Sequence, residues 1–193
     1  MIQVLSTAHY IKMPWKNGQG FTLEIARSHG EGLDDFDWRI SIADVKTAGV
    51  FSHFLNKQRI IGVLEGDELV LHLEQQVPVT LKNKQFFAFQ GEENVYAEVP
   101  QGPIRDFNLI YDPQRYTARL QWINAISTES WLSDADQVII FNSYSELSIW
   151  VDGTEYHLAE QETLLVKKNQ KIQKFTLGKL SHYDLCVIEI FLK

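Results

Sequence analysis

Three pairs of polar residues, each spaced two apart among apolar neighbours, are the part of this sequence best suited to hold a small molecule. Thr22 and Glu24, Arg39 and Ser41, and Asp106 and Asn108 each fall on one side of an extended strand. On a solvent-facing strand such side chains simply meet water. On an inward-facing one, a few polar groups among apolar walls orient a ligand. Arg39 and Arg59 supply planar guanidinium forks that match a carboxylate, and Glu24 and Asp106 are the acids expected to balance them. The stretch Pro14-Trp15-Lys16-Asn17-Gly18-Gln19-Gly20 adds a flat indole, a cation and an amide beside glycines that permit close backbone approach. It reads equally as a turn leading into a strand.

Other chemistries find less support. His9, His29, His53, His72, His157 and His182 are well separated in the chain, so no metal-ligand spacing is present and a metal site is not expected. No Gly-x-Ser-x-Gly elbow occurs, and adjacent Ser52 and His53 would point to opposite faces of a strand. Glu24 or Asp106 could serve as an acid or base if a fold brought them to a substrate. No catalytic residue is assigned, and no cofactor is implied.

The elements that must position these groups are strands. Period-two alternation runs through Phe21 to Ile25, Trp38 to Ile42 and Asp106 to Leu109. Further strands are expected at Arg59 to Leu64, Glu68 to Leu73, Gln85 to Phe89, Tyr116 to Ile123, Val138 to Asn142, Leu147 to Val151, Thr163 to Val166 and Asp184 to Phe191. Gly66-Asp67, Lys82-Asn83, Asp112-Pro113 and Asp152-Gly153 punctuate them as turns. A shift of 78 positions lays Leu69, Leu71 and Leu73 over Leu147, Ile149 and Val151, and Asp106-Phe107 over Asp184-Leu185. Two copies of one module make an all-β double jelly roll, a bicupin. The polar stretch Asn124 to Asp136 suggests the junction, with an N-terminal barrel carrying the pocket over 1–125 and a C-terminal half over 126–193.

Composition bounds the partners. With 193 residues and 45% hydrophobic content the chain can fill a substantial core. A net charge of −7 and the lack of a basic run argue against nucleic acid. Cys186 is the only cysteine, which excludes an intramolecular disulfide. No apolar run reaches membrane-spanning length, and residues 1–12 lack the pattern of a signal peptide, so a cytoplasmic protein without membrane partners is expected. A homodimer is compatible with these features.

Several stretches in order are similar to the HutD/Ves family: the segment from Pro14 to Gly20, Thr22-x-Glu24-Ile25-Ala26, Trp38 to Val45, and Gly49-x-Phe51-Ser52. Arg59, Leu64-Glu65-Gly66, Phe89-x-Gly91 and Gly102-Pro103-x-x-Asp106-Phe107-Asn108 continue the likeness. It covers about Ile11 to Tyr111; beyond Asp112 only the strand pattern agrees, and Gln19 stands where the family usually has glycine. The resemblance implies an RmlC-like bicupin without metal histidines. It also implies a role in bacterial histidine utilisation, as a regulator sensing urocanate or formylglutamate, or in cold and stress responses. Carried onto this chain, the pocket positions are Lys16, Asn17, Thr22, Glu24, Arg39, Ser41, Phe51, Arg59, Asp106 and Asn108.

Overall fold

Alternating apolar and polar residues extend the backbone through most of the chain, and frequent turns fold it back on itself. The computed structural model describes residues 1–14, 20–32, 34–74, 76–123, 130–168, 171–178, 182 and 184–193. In chain order its strands are β1 (Ile2–Leu5), β2 (Ile11–Pro14), β3 (Phe21–Arg27), β4 (Trp38–Val45), β5 (Gly49–Val50), β6 (Gln58–Glu65), β7 (Glu68–Leu73), β8 (Val79–Lys82), β9 (Phe86–Gln90) and β10 (Val95–Glu98). They continue with β11 (Ile104–Tyr111), β12 (Tyr116–Ile123), β13 (Ser130–Ser133), β14 (Gln137–Asn142), β15 (Leu147–Val151), β16 (Thr154–Leu158), β17 (Thr163–Lys167), β18 (Gln173–Leu177) and β19 (Leu185–Leu192). One 3-10 turn, Thr7–His9, is the only helical element among the described residues. The chain is all-β, and no described helix is long and apolar enough to cross a membrane.

The strands fall into two units. The first, Tyr10–Gln114, holds the sheets β2-β3-β4-β11-β6-β9 and β5-β10-β7-β8. The second combines Met1–His9 with Arg115–Lys193 and holds β1-β17-β14-β19-β12 and β13-β18-β15-β16. This differs from the division expected at 125/126. Strand β12, assigned by sequence to the N-terminal half, pairs along its whole length with β19. The N-terminal strand β1 pairs with β17. A polar stretch is a weak boundary signal, because it does not reveal which strands its neighbours will pair with.

The 78-residue shift has a structural counterpart. In order and pairing β4 through β11 correspond to β12 through β19: β11 lies between β4 and β6 as β19 lies between β12 and β14, although cross-strand register sets Asp106 on Leu185 and not, as the shift does, on Asp184. Likewise β7 joins β8 and β10 as β15 joins β16 and β18. Each unit closes its two sheets over a common core. In the first, Ile61, Val63, Leu69, Leu71, Phe89 and Ile104 pack together; in the second, Val138, Ile140, Ile149, Leu164, Phe175 and Val187 do so. Each such side chain, fully buried, contributes about 1.5–3 kcal/mol.

Candidate functional site

Cross-strand register brings the polar pairs together on the inner face of the large sheet in the first unit. One row runs Arg27, Arg39, Ile110, Arg59 and Phe89; the next runs Glu24, Ser41, Asn108, Ile61 and Phe87; a third runs Thr22, Ala43, Asp106 and Val63. Neighbouring strands stand about 4.8 Å apart and rows about 7 Å apart, so these side chains share one small space. The middle of these rows, with Thr22, lines a cavity of about 270 Å³, at the small end for a ligand pocket. Buried Arg39, Ser41, Arg59, Asp106 and Asn108 form its floor, and exposed Asp34, Val50, Ser52 and His53 form its rim.

Arg59 is the centre of this arrangement. It is 6% exposed, and its guanidinium carbon lies 5.0, 5.6 and 5.0 Å from the ring centres of Phe51, Phe54 and Phe89. Such faces attract a cation, but they accept no hydrogen bond of ordinary strength. Nη1 donates to Ser52 O at 3.1 Å and Nη2 to Asn108 Oδ1 at 2.9 Å. A guanidinium has five donors, and among the described residues the buried Nε–H has no hydrogen-bond partner. Each buried unmet donor costs about 1–3 kcal/mol. Burial lowers the Arg59 pKa to about 10; Asp106 opposes this shift and Arg39 adds to it. The group therefore stays cationic at neutral pH.

Asn108 links the cation to an acid. Its Oδ1 accepts from Arg59 while its Nδ2 donates to Asp106 Oδ1 at 3.0 Å, which fixes the amide orientation. Asp106 Oδ1 also accepts from Ala43 N–H at 3.1 Å. Burial raises the Asp106 pKa to about 7, against the pull of Arg59, Asn108 and the Ala43 amide, with Asp44 adding to the rise. Burial also lowers the pKa of Arg39, partly offset by Glu24. The Arg39 guanidinium lies 4.7 Å from the Phe36 ring and 5.1 Å from Phe54, so Phe54 is shared by both cavity arginines.

The loop that delivers Phe54 is held by backbone. Phe54 N–H donates to Gly91 O at 2.8 Å and Gly91 N–H donates to Lys57 O at 2.7 Å. A Cβ on Gly91 would stand 2.5 Å from Phe54 O, so only glycine allows this approach.

Of the residues expected from sequence, Thr22, Arg39, Ser41, Phe51, Arg59, Asp106 and Asn108 line the cavity. Lys16 and Asn17 lie outside the described residues. Glu24 is buried but is absent from the lining, and although it stands within ion-pair distance of Arg39 its main partner is Arg27. Arg27 holds both its oxygens, Nε on Oε1 at 2.6 Å and Nη2 on Oε2 at 2.5 Å, while Arg39 Nε stands 4.0 Å away. The cause is a register shift between Glu24 and Ala26. Strict alternation would put residues 24 and 27 on opposite faces, but the inserted residue of a bulge brings them to one side. Glu24 is thus ion-paired to Arg27 and set apart from the cavity lining. Asp34, His53 and Phe54 were not foreseen, because loop residues carry no periodicity. The aromatic run Phe51 to Phe54 was the only sign of them. Among the described residues, no group of His, Cys, Asp and Glu is arranged to hold a metal.

Similarity to known proteins extends over the whole chain. The HutD family model matches residues 7–183. An uncharacterised 21.2 kDa protein in the hutC 3′ region of Pseudomonas putida is 43% identical over 190 residues, 98% of this chain and 97% of the relative. Protein Ves of Escherichia fergusonii is 41% identical over 103 residues, 51% of this chain and 53% of its own. A conserved Pseudomonas aeruginosa PAO1 protein of unknown function superposes with a TM-score of 0.94 at 39% identity, covering 99% of both chains. HutD from Pseudomonas fluorescens SBW25, in a formate condition, gives 0.83 at 38% identity over 100% of both. A cupin 2 conserved barrel protein from Leptotrichia buccalis, 12% identical with a TM-score of 0.58 over 94% of this chain and 92% of its own, shares the fold alone. From the extent of these matches, the chain belongs to the HutD family.

Proposed function

We propose that this protein is a cytoplasmic, metal-free double jelly roll that binds a small carboxylate of histidine degradation, urocanate or formylglutamate, and acts as a regulator. The observation that carries the reading is Arg59: a buried cation, walled by three phenyl rings, with two of its five donors engaged and its Nε–H unmet. A bidentate carboxylate supplies the acceptors that the aromatic walls lack. Arg39, one strand beyond Ile110 in the same row, provides a second cation for a ligand with another anionic or carbonyl group. Calorimetry with urocanate and N-formyl-L-glutamate tests this. Arg59→Ala should weaken binding by on the order of 10²-fold or more, since losing the partner of a buried charge costs about 2–5 kcal/mol. Unchanged affinity in that variant would contradict the reading.

A second reading, an enzyme that uses an acid or base without a metal, keeps one candidate. Glu24 is ion-paired to Arg27 and absent from the lining, which favours Asp106 over it. Asp106, with its pKa raised to about 7, is suited to proton transfer near neutral pH. Conversion of either acid by the protein, lost in Asp106→Asn, would favour this reading over simple binding.

A further inference from the structure

The two carboxyl oxygens of Asp106 have different surroundings. Oδ1 is fully engaged, accepting from the Ala43 amide and from Asn108 Nδ2. Among the described residues no hydrogen bond reaches Oδ2, although the residue is only 3% exposed and borders the cavity. The donors run in one direction from Arg59 through Asn108 to Asp106, and all three residues line the same cavity. A carboxylate that settles on the unused N–H groups of Arg59 shares its cavity with a second carboxyl group. Two such groups at contact in a water-poor site do not both stay ionised.

We propose that a carboxylate ligand is held with one shared proton, placed between a ligand oxygen and Asp106 Oδ2, while Arg59 takes the remaining negative charge. The inference rests on the binding reading above and specifies the role of Asp106 within it. The proton comes from solvent: one ligand anion, one ionised Asp106 and one proton give the complex, and dissociation returns the proton. When Asp106 is already protonated, the ligand finds a donor in place and nothing is taken up.

The surroundings of Asp106 suit this role. Burial brings its carboxyl to about 7, so the proton is available near neutrality. On β4 the nearby charged groups are Arg39 and Asp44; on β6 they are Arg59 and Glu65. Arg105, next to Asp106 on its own strand, is engaged by Asp44 and Glu65. On β3, Glu24 is closed off by Arg27. Asp34 and His53 stand at the rim.

The test is calorimetry of the unaltered protein with N-formyl-L-glutamate and with urocanate, from about pH 6 to about pH 8.5, in buffers of different ionisation enthalpy. Proton uptake should approach one per ligand at the alkaline end, and affinity should fall towards tenfold per pH unit there. Asp106→Asn keeps Oδ1 as the acceptor and presents an N–H where Oδ2 stood. It should bind without proton uptake, and at about pH 8.5 more tightly than the unaltered protein by about tenfold. His53→Gln removes the rim imidazole's contribution, so uptake that persists in it belongs to Asp106. Binding without proton uptake would overturn the proposal while leaving the carboxylate site intact. Failure of both acids to bind at every pH would overturn the site and the proposal together. The proton count is made on the unaltered chain, so the result stands even if a variant folds poorly.

Discussion

The two units repeat one strand topology but fill three equivalent interior positions differently. Register defines the equivalences. Asn108 pairs with Ile61 and Ser41, and Val187 pairs with Ile140 and Gln121. With Ile61 set on Ile140, Arg59 corresponds to Val138, Asn108 to Val187 and Asp106 to Leu185. All three replacements are apolar and fully buried, and they belong to the second unit's core. Arg39 corresponds to Arg119, whose row neighbour is Glu189, bonded to it at 2.6 Å; the neighbour of Arg39 is Ile110. At these three positions one module fills its interior with hydrocarbon, whereas the other holds a buried arginine, an amide and a carboxyl whose burial costs stability. A buried polar group is tolerated when it is bonded, and the unmet Nε–H of Arg59 marks where bonding is incomplete.

The strongest way to break this comparison is to make the first unit resemble the second. The triple variant Arg59→Val, Asp106→Leu, Asn108→Val should abolish carboxylate binding yet fold with equal or greater stability. Replacing buried charges by hydrophobic groups of similar volume is often neutral or stabilising by about 1–4 kcal/mol. Thermal melts and calorimetry read the two effects separately. A large loss of stability would show that the polar floor supports the fold rather than a ligand.

Next in size is the pH dependence of stability. Asp106 is raised from 3.8 unfolded to about 7 folded, so the folded state holds its proton more tightly. Its contribution is fully present below about pH 4 and is lost as pH rises through about 7. Chemical denaturation across this window should show a decline from this group on the order of 2–4 kcal/mol. The Asp106→Asn variant should lack that component. Equal slopes in the two proteins would place the acid in a more polar setting than the cavity floor.

The smallest expected effect on binding belongs to Glu24. Because Arg27 saturates it and it stays outside the lining, Glu24→Gln should change ligand affinity by less than a few-fold while lowering the melting temperature. A loss like that of Arg59→Ala would move Glu24 into the site.

Alternation and punctuation made the strands from Phe21 to Phe191 legible, and the 78-residue shift showed the duplicated topology. Short strands such as β8, β10 and β16 were missed, because with few buried apolar residues each shows too little alternation to stand out. The pairs Arg39–Ser41 and Asp106–Asn108 were visible, but alternation alone cannot decide whether a polar face meets water or lines an interior. The Glu24–Arg27 pair was hidden by a bulge that reverses the parity on which the reading depends. The boundary at Gln114/Arg115 was hidden because strand partners, rather than composition, define the units.

The most direct test of the account is a crystal structure of the protein with N-formyl-L-glutamate or urocanate bound. The account predicts ligand density in the first unit, with a carboxylate on Arg59 and one of its oxygens within hydrogen-bond distance of Asp106 Oδ2. A ligand seated elsewhere, with Arg59 Nε still unmet, would contradict it.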